Sequence, residues 1–280
     1  MPVTDSPLRY PGGKSQLTPL VIELLRTNRL FEGTYVEPFA GGCGIACSLL
    51  LNNYMSEIWI NDIDPAIYAF WATVLRHTDA LCEKIEQTPV TINEWVLQRE
   101  IQRSSRPKLF DLGFSTFFLN RTNRSGILKA GMIGGLAQEG DYKLDCRFNK
   151  VDLVRKIRRI AMYRDQIRLT KLDAAEFLAT SVKGLPKKSL INIDPPYYGK
   201  GPELYCSFYK HEDHVALART ISKLDRPWIL TYDDTDEIRK IYARRKVSEL
   251  SLLYSAQVKR VGVELLYMSR HLSAPMEEAA

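Results

Sequence analysis

The chain of 280 residues has no long apolar run, no closely spaced cysteine pair of the CxxC type and only four histidines. Its longest apolar stretches, such as Gly44 to Leu51, fall far short of the roughly 20 residues a membrane helix needs, so no membrane partner is expected. No apolar signal core follows Met1-Pro2-Val3-Thr4-Asp5, which points to a cytoplasmic protein. The cysteines Cys43, Cys47, Cys82, Cys146 and Cys206 are odd in number and scattered, which argues against both a disulfide framework and a zinc site. Only His211 and His214 lie close together among the histidines, and they read as the solvated start of a helix; no metal is expected. There is no internal repeat and no low-complexity segment.

Basic charge, by contrast, is concentrated. The net charge is +6, yet Arg99 to Lys171 holds 17 basic against 7 acidic residues, leaving the rest of the chain mildly acidic. A protein that meets a polyanion on one side has this distribution. A helix with a solvated basic face, such as Arg155-Lys156-Ile157-Arg158-Arg159, would produce it too, and charge alone does not choose between the two.

The periodicity is that of an α/β protein. A helical spacing over Leu17 to Leu25 precedes a short strand at Thr34-Tyr35-Val36, a glycine turn, and an apolar helix from Ile45 to Leu51. A second strand at Ile58-Trp59-Ile60 ends in Asn61-Asp62-Ile63-Asp64-Pro65, and a helix is expected from Ala66 to Leu75. The pattern loosens over residues 79–150, where helices are expected at Ile92 to Gln102 and around Leu112 to Leu119 before a glycine-rich stretch from Gly126 to Gly140. This interval reads as an inserted, mainly helical lobe, with residues 1–78 and 151–280 forming the core. Alternation then resumes: a helix to Tyr163, a strand at Ile167-Arg168-Leu169, a helix from Ala174, and strands at Ser189 to Ile193, Trp228 to Tyr232 and Glu264 to Met268.

The strongest chemical signal is Asp194-Pro195-Pro196-Tyr197, which follows an apolar strand. Ligands of open α/β sheets bind at that end of the strands. The Asp194 carboxylate and the Pro195 carbonyl are both acceptors, and two acceptors aimed at one point suit an NH₂ group, while Tyr197 offers a face for a base. An aromatic amine is a poor nucleophile because its lone pair is delocalised into the ring. Bonds to both of its N–H groups can aim that lone pair at a sulfonium methyl, so placement and electrostatics carry the catalysis. The chain has no Pro-Cys dipeptide, which carbon-methylating cytosine enzymes use for their nucleophile.

A second signal is Glu37-Pro38-Phe39-Ala40-Gly41-Gly42-Cys43-Gly44, a glycine turn between strand and helix, followed at the end of the next strand by Asp62, an acidic residue placed to hold ribose hydroxyls. Gly12-Gly13-Lys14-Ser15 resembles a phosphate loop, but such a loop needs glycine where Leu8 stands and a strand before it, so nucleotide hydrolysis is rejected. Lys14 reads instead as a cation near the carboxylate of a methionine-bearing cofactor, with Tyr10 beside it.

Leu8 to Lys14, Glu37 to Gly42, Asn61-Asp62-Ile63, Phe118-Leu119-Asn120-Arg121 and Asp194 to Tyr197 occur in the order found in Dam-like DNA adenine methyltransferases, which the chain resembles from Leu8 to Ser269. The resemblance implies an α/β, Rossmann-like methyltransferase core with an inserted target-recognition lobe. The implied activity is transfer of methyl from S-adenosyl-L-methionine to N6 of adenine in double-stranded DNA, after the base is flipped out. Asp194, Pro195, Pro196 and Tyr197 would be catalytic. Tyr10, Lys14, Pro38, Phe39, Ala40, Gly41, Gly42, Asp62, Ile63, Asp173, Ala174 and Asp194 would line the cofactor. Asn120, Arg121, Asn123 and Arg124, with Lys129 and Arg147, suit phosphates and base edges or act as backbone clamps, whereas Phe117 and Phe118 read as core. The glycine turn departs from the Phe-Val-Gly-Ala-Gly-Ser of some members, and Thr122 to Gly126 does not match the GATC-specific form, so that target sequence is not carried over. Two further readings stay open: an RNA adenine substrate, or a silent DNA-binding fold. A protein partner from a restriction-modification or defence system fits either DNA-directed reading.

Overall fold

The computed structural model describes residues 4–9, 14–199, 209–254 and 260–275. A seven-stranded sheet runs in the order β3-β2-β1-β4-β5-β7-β6. Its strands are β1 (Thr34–Glu37), β2 (Glu57–Asn61), β3 (Ile167–Thr170), β4 (Ser189–Ile193), β5 (Trp228–Asp233), β6 (Val247–Tyr254) and β7 (Arg260–Met268). The first five pair in parallel; β7 lies antiparallel to β5, and β6 antiparallel to β7. The strand order therefore reverses between β1 and β4, whose carboxyl ends face a common crevice.

Each strand feeds both faces because successive side chains alternate. Tyr35, Ile58, Ile60, Leu190, Ile229 and Leu266 enter one core. Val36, Trp59, Ile191, Ile193, Leu230, Tyr232, Leu265 and Tyr267 enter the other. The first core is covered by α1 (Thr18–Thr27), α2 (Gly44–Leu51), α3 (Pro65–Arg76) and α7 (Lys150–Ala161). The second lies under α8 (Ala174–Thr180), α9 (His211–Ile221) and α10 (Asp236–Ile241). The Asp64 carboxylate caps α3 by accepting from the Ala66 amide at 2.8 Å, and Pro65 stands at the first turn, where its missing donor costs nothing.

Between α3 and α7 come α4 (Thr78–Gln87), α5 (Ile92–Arg103) and α6 (Leu109–Thr122). Their apolar residues Leu81, Cys82, Ile85, Phe114, Phe117, Phe118 and Leu119 belong to the same core cluster as α1 to α3. Phe117 stacks on Phe70 with ring centroids 6.1 Å apart, and Phe117 and Phe118 are both fully buried, core as expected. The elements α4, α10 and β6 were not expected from periodicity; each is a short or mixed stretch whose apolar face shows only once its neighbour is in place.

The approach of α6 to α3 depends on Gly113: a Cβ there would lie 2.3 Å from the Thr73 hydroxyl and 2.6 Å from the Ala69 carbonyl. Gly113→Ala is expected to push the helices apart and destabilise by about 1–3 kcal/mol, the usual cost of overpacking. An unchanged urea midpoint would contradict this packing.

Candidate active site

The turn after β1 is held by its neighbours more than by its own bonds. Gly41 takes φ 46° and Cys43 φ 47°, left-handed conformations that turn the chain sharply into α2. The Gly41 amide donates to Asp62 Oδ2 at 2.8 Å, its carbonyl accepts from Trp71 Nε1 at 2.9 Å, and the Ala40 amide donates to the Asn61 carbonyl at 2.8 Å. Buried Asn61 is the hub: its amide donates to the Pro38 and Leu172 carbonyls, and its carbonyl oxygen accepts from Thr170 Oγ1 and the Leu172 amide. One side chain thus ties together the ends of β1, β2 and β3.

The N-terminus of α2 receives no cap from Cys43. The buried Glu37 carboxyl reaches the Ala46 amide instead; burial pushes its pKa up to about 8, with the Asp194 charge adding to the effect. Burial likewise raises Asp62 to about 7, against the opposing bonds from the Gly41 and Asp64 amides.

Asp194 follows β4. The pairing of Ile193 with Leu230 brings it beside Thr231, whose hydroxyl donates to Asp194 Oδ1 at 2.8 Å. Lys14 Nζ donates to the same oxygen at 2.8 Å and lies 2.7 Å from Glu264 Oε2. Burial alone would lower the Lys14 pKa, but the two carboxylates more than offset it and the net shift is upward. Glu264 Oε1 accepts from the Tyr197 hydroxyl at 2.7 Å, and Lys14 Nζ stands 5.0 Å from the Tyr197 ring centroid. Lys14 and Glu264 are buried, whereas the Asp194 side chain is 27% exposed. The network therefore has a sealed floor and a single charged group at its mouth, with Oδ1 engaged twice from below.

Sequence placed Lys14 at the cofactor's carboxylate; the structure places it between two carboxylates of the protein. Glu264, Thr231 and the Asp233 carboxylate, which accepts from the Tyr198 and Gly199 amides, were all missed. The signal available was Glu264 itself, a lone charge in the otherwise apolar strand from Val261 to Met268.

A second set lies around the glycine turn. Ile63 is 43% exposed although large and apolar, and Phe39 and Asp62 are half-buried. Pro38, Ala40, Gly41, Gly42 and Ala174 are buried around them. Asp173 caps α8 through the Ala175 and Glu176 amides and accepts from the Tyr209 hydroxyl at 3.4 Å, while the Tyr209 ring meets Phe39 edge-on at 5.7 Å. Tyr10 lies outside the described residues. His211 is exposed at the start of α9 as expected, but His214 is not solvated: it is 1% exposed, its Nδ1 lies 2.7 Å from the Tyr232 hydroxyl, and burial lowers its pKa to about 4. The two share a helix face and both meet the Tyr198 ring, but His211 stands at the exposed first residue of α9 whereas His214 lies one turn further in, against Tyr232 of the sheet. A cavity of about 520 Å³, lined by residues such as Asp5, Ser15, Thr18, Arg26, Gly44 and Ser48, opens beside α1 and α2, and neither Asp62 nor Asp194 lines it.

The six residues assigned to DNA divide by burial. Asn120 is spent on the fold: its carbonyl oxygen accepts from the Arg9 amide, and its NH₂ donates to the Arg9 and Gly126 carbonyls. Asn123 likewise accepts from Trp95 Nε1 and donates to the Ile127 and Leu128 carbonyls. Both are at most 2% exposed, and in this structure the two amides clamp loops. Arg121 is half-buried, donates to the Arg147 carbonyl, and is lowered to about 10 by burial and by the nearby Arg9. Arg124 and Lys129 are exposed. Elsewhere in the basic segment Arg158 and Arg159 pair with Asp79 and Asp5, and Arg155 and Lys156 with Asp152.

A mostly parallel sheet flanked by helices, with a glycine turn and an acceptor-bearing carboxylate at its reversal point, is a Rossmann-like methyltransferase core. The chain belongs to the D12 class N6 adenine-specific DNA methyltransferase family, whose model matches residues 10–256, and is an adenine-specific DNA methyltransferase. No curated protein matches it. Among solved structures it is similar to precorrin 8W decarboxylase of Methanobacterium thermoautotrophicum, at 15% identity over 91% of this chain and 89% of that one, with a TM-score of 0.36. It is also similar to LPL1258 of Legionella pneumophila, at 12% identity over 92% and 85% of the two chains, with a TM-score of 0.34.

The raised carboxyls of Glu37 and Asp62 make stability depend on pH. Each binds its proton more tightly folded than unfolded, so its contribution is complete below the unfolded value and lost as pH rises through about 8 for Glu37 and about 7 for Asp62. Denaturant titrations should show stability falling between pH 5 and 8, with Glu37→Gln removing much of the slope. A variant that keeps the full slope would contradict the neutral, helix-capping role of Glu37.

Proposed function

We propose that the protein uses S-adenosyl-L-methionine to methylate N6 of a flipped-out adenine in double-stranded DNA, by direct in-line transfer at Asp194. The observation that carries this reading is the partly exposed Asp194 carboxylate, beside the glycine turn, with Oδ1 held by Lys14 and Thr231 and Oδ2 left for a substrate donor. Oδ2 accepts one N–H of the amine and the Pro195 carbonyl the other. Tyr197 packs the base on the ring face away from Lys14, because the ammonium occupies the opposite face. Pro196 keeps the turn rigid.

The residues around the glycine turn fit the cofactor. Exposed Ile63 and half-buried Phe39 offer apolar surface for a purine, next to the acidic groups of Asp62 and Asp173 that suit hydroxyl and amine donors. When bound there, S-adenosylmethionine supplies a methyl group on a positively charged sulfur. The chemistry it would supply is transfer of that methyl to the amine nitrogen held by Asp194 and the Pro195 carbonyl, with one proton released from the nitrogen to solvent. Extruding the base costs a few kcal/mol, recovered by contacts along the duplex. Exposed Arg124 and Lys129, with Arg121 and Arg147, face the phosphates from residues 79–150, the interval we assign to target recognition. The DNA is cytoplasmic, and a restriction-modification or defence system is the setting that fits such an enzyme.

Labelled-methyl transfer tests this. Unmodified genomic DNA should accept label and yield N6-methyladenine, and Asp194→Ala should lower the rate by ~100-fold or more, the scale seen when a group aimed at the transition state is removed. Label entering RNA alone, or equal label from the variant, would overturn the assignment. DNA affinity should fall steeply with salt, and Arg124→Ala with Lys129→Ala should reduce the slope of log K against log salt by about 1 per residue. A slope equal to that of the parent would remove these two residues from the DNA face.

A further inference from the structure

Glu264 touches neither the proposed substrate position nor the glycine turn, yet it is fully buried and governs both groups that do the work at the mouth of the site. On antiparallel β7 it pairs with Asp233 of β5, and its carboxylate reaches Tyr197 in the segment that follows β4. One oxygen holds the Tyr197 hydroxyl at 2.7 Å and the other holds Lys14 Nζ at 2.7 Å; Lys14 in turn holds Asp194 Oδ1 at 2.8 Å.

We propose that Glu264 is the positioning residue of methyl transfer, fixing Tyr197 directly and Asp194 through Lys14 so that Oδ2 alone is presented to the amine. The inference rests on the role given to Asp194 above. A buried ammonium with one partner would swing toward it; held by two carboxylates at 2.8 and 2.7 Å it is fixed between them, and the Asp194 rotamer is fixed with it. Loss of Glu264 frees Lys14 to follow Asp194 and lets the Tyr197 ring tilt. Neither change removes a contact to cofactor or to DNA backbone, so binding should survive while the chemical step slows. An error of an ångström in an acceptor is enough to cost one to two orders of magnitude in rate.

The test compares Glu264→Gln, Lys14→Met with Glu264→Gln, and Asp194→Ala in single-turnover transfer to DNA, with affinities for S-adenosylmethionine and DNA measured separately. Glu264→Gln should lower the transfer rate about tenfold or more and leave both affinities within about threefold. The double variant removes the buried ammonium as well as the buried carboxylate and leaves only the partly exposed Asp194 charged, so it should fold at least as stably as the single variant, while its transfer rate stays low. A normal rate in Glu264→Gln with a dead Asp194→Ala would overturn the inference alone. An active Asp194→Ala would overturn the assignment on which it rests. Activity recovered in the double variant together with stability would show that Glu264 acts only on folding and would also reject the proposal.

Discussion

The ammonium of Lys14 is the constraint around which the active end of the molecule is arranged. Isolated, a buried charge is among the most expensive groups a fold can hold, and it persists only where geometry supplies partners on every charged side. Here the partners come from two distant strands: Asp194 at the end of parallel β4 and Glu264 in antiparallel β7. The segment that carries Lys14 precedes the whole sheet, so the ion pairs bind the start of the chain to its last strand. The carboxylate we propose as catalytic is thereby held by the same interaction that closes the fold.

The crevice above this network exists because the strand order reverses between β1 and β4. Connections from β1 run one way and those from β4 the other, leaving the two carboxyl ends side by side without a helix over them. The glycine turn occupies one lip and Asp194 the other. Asn61 and Asp62 then lock the first lip to β2 and β3, so the turn keeps its left-handed backbone without relying on glycine at every position, and Cys43 can stand where glycine is common.

Basic charge gathers between Arg99 and Lys171. That charge is not all of one kind. Arg158 and Arg159 hold α7 to neighbouring elements through acidic partners, and the amides of Asn120 and Asn123 are consumed in clamping the loop that follows α6. Once those are set aside, the residues that remain outward are long, flexible and cationic, which suits a phosphate backbone better than it suits direct reading of a base.

The sequence by itself determined the alternation of strands and helices, the acidic cap before α3, the glycine turn and the position of Asp194 at a strand end. All of these follow from periodicity or from turn chemistry within a few residues. Only the tertiary structure decided that His214 is buried, that the Asn120 amide clamps a loop, and that Lys14 answers to Glu264. Lys14 and Asp194 lie 180 residues apart. Which carboxylate completes the pair depends on the register of β7 against β5, and no local pattern encodes a register between strands so far separated in the chain.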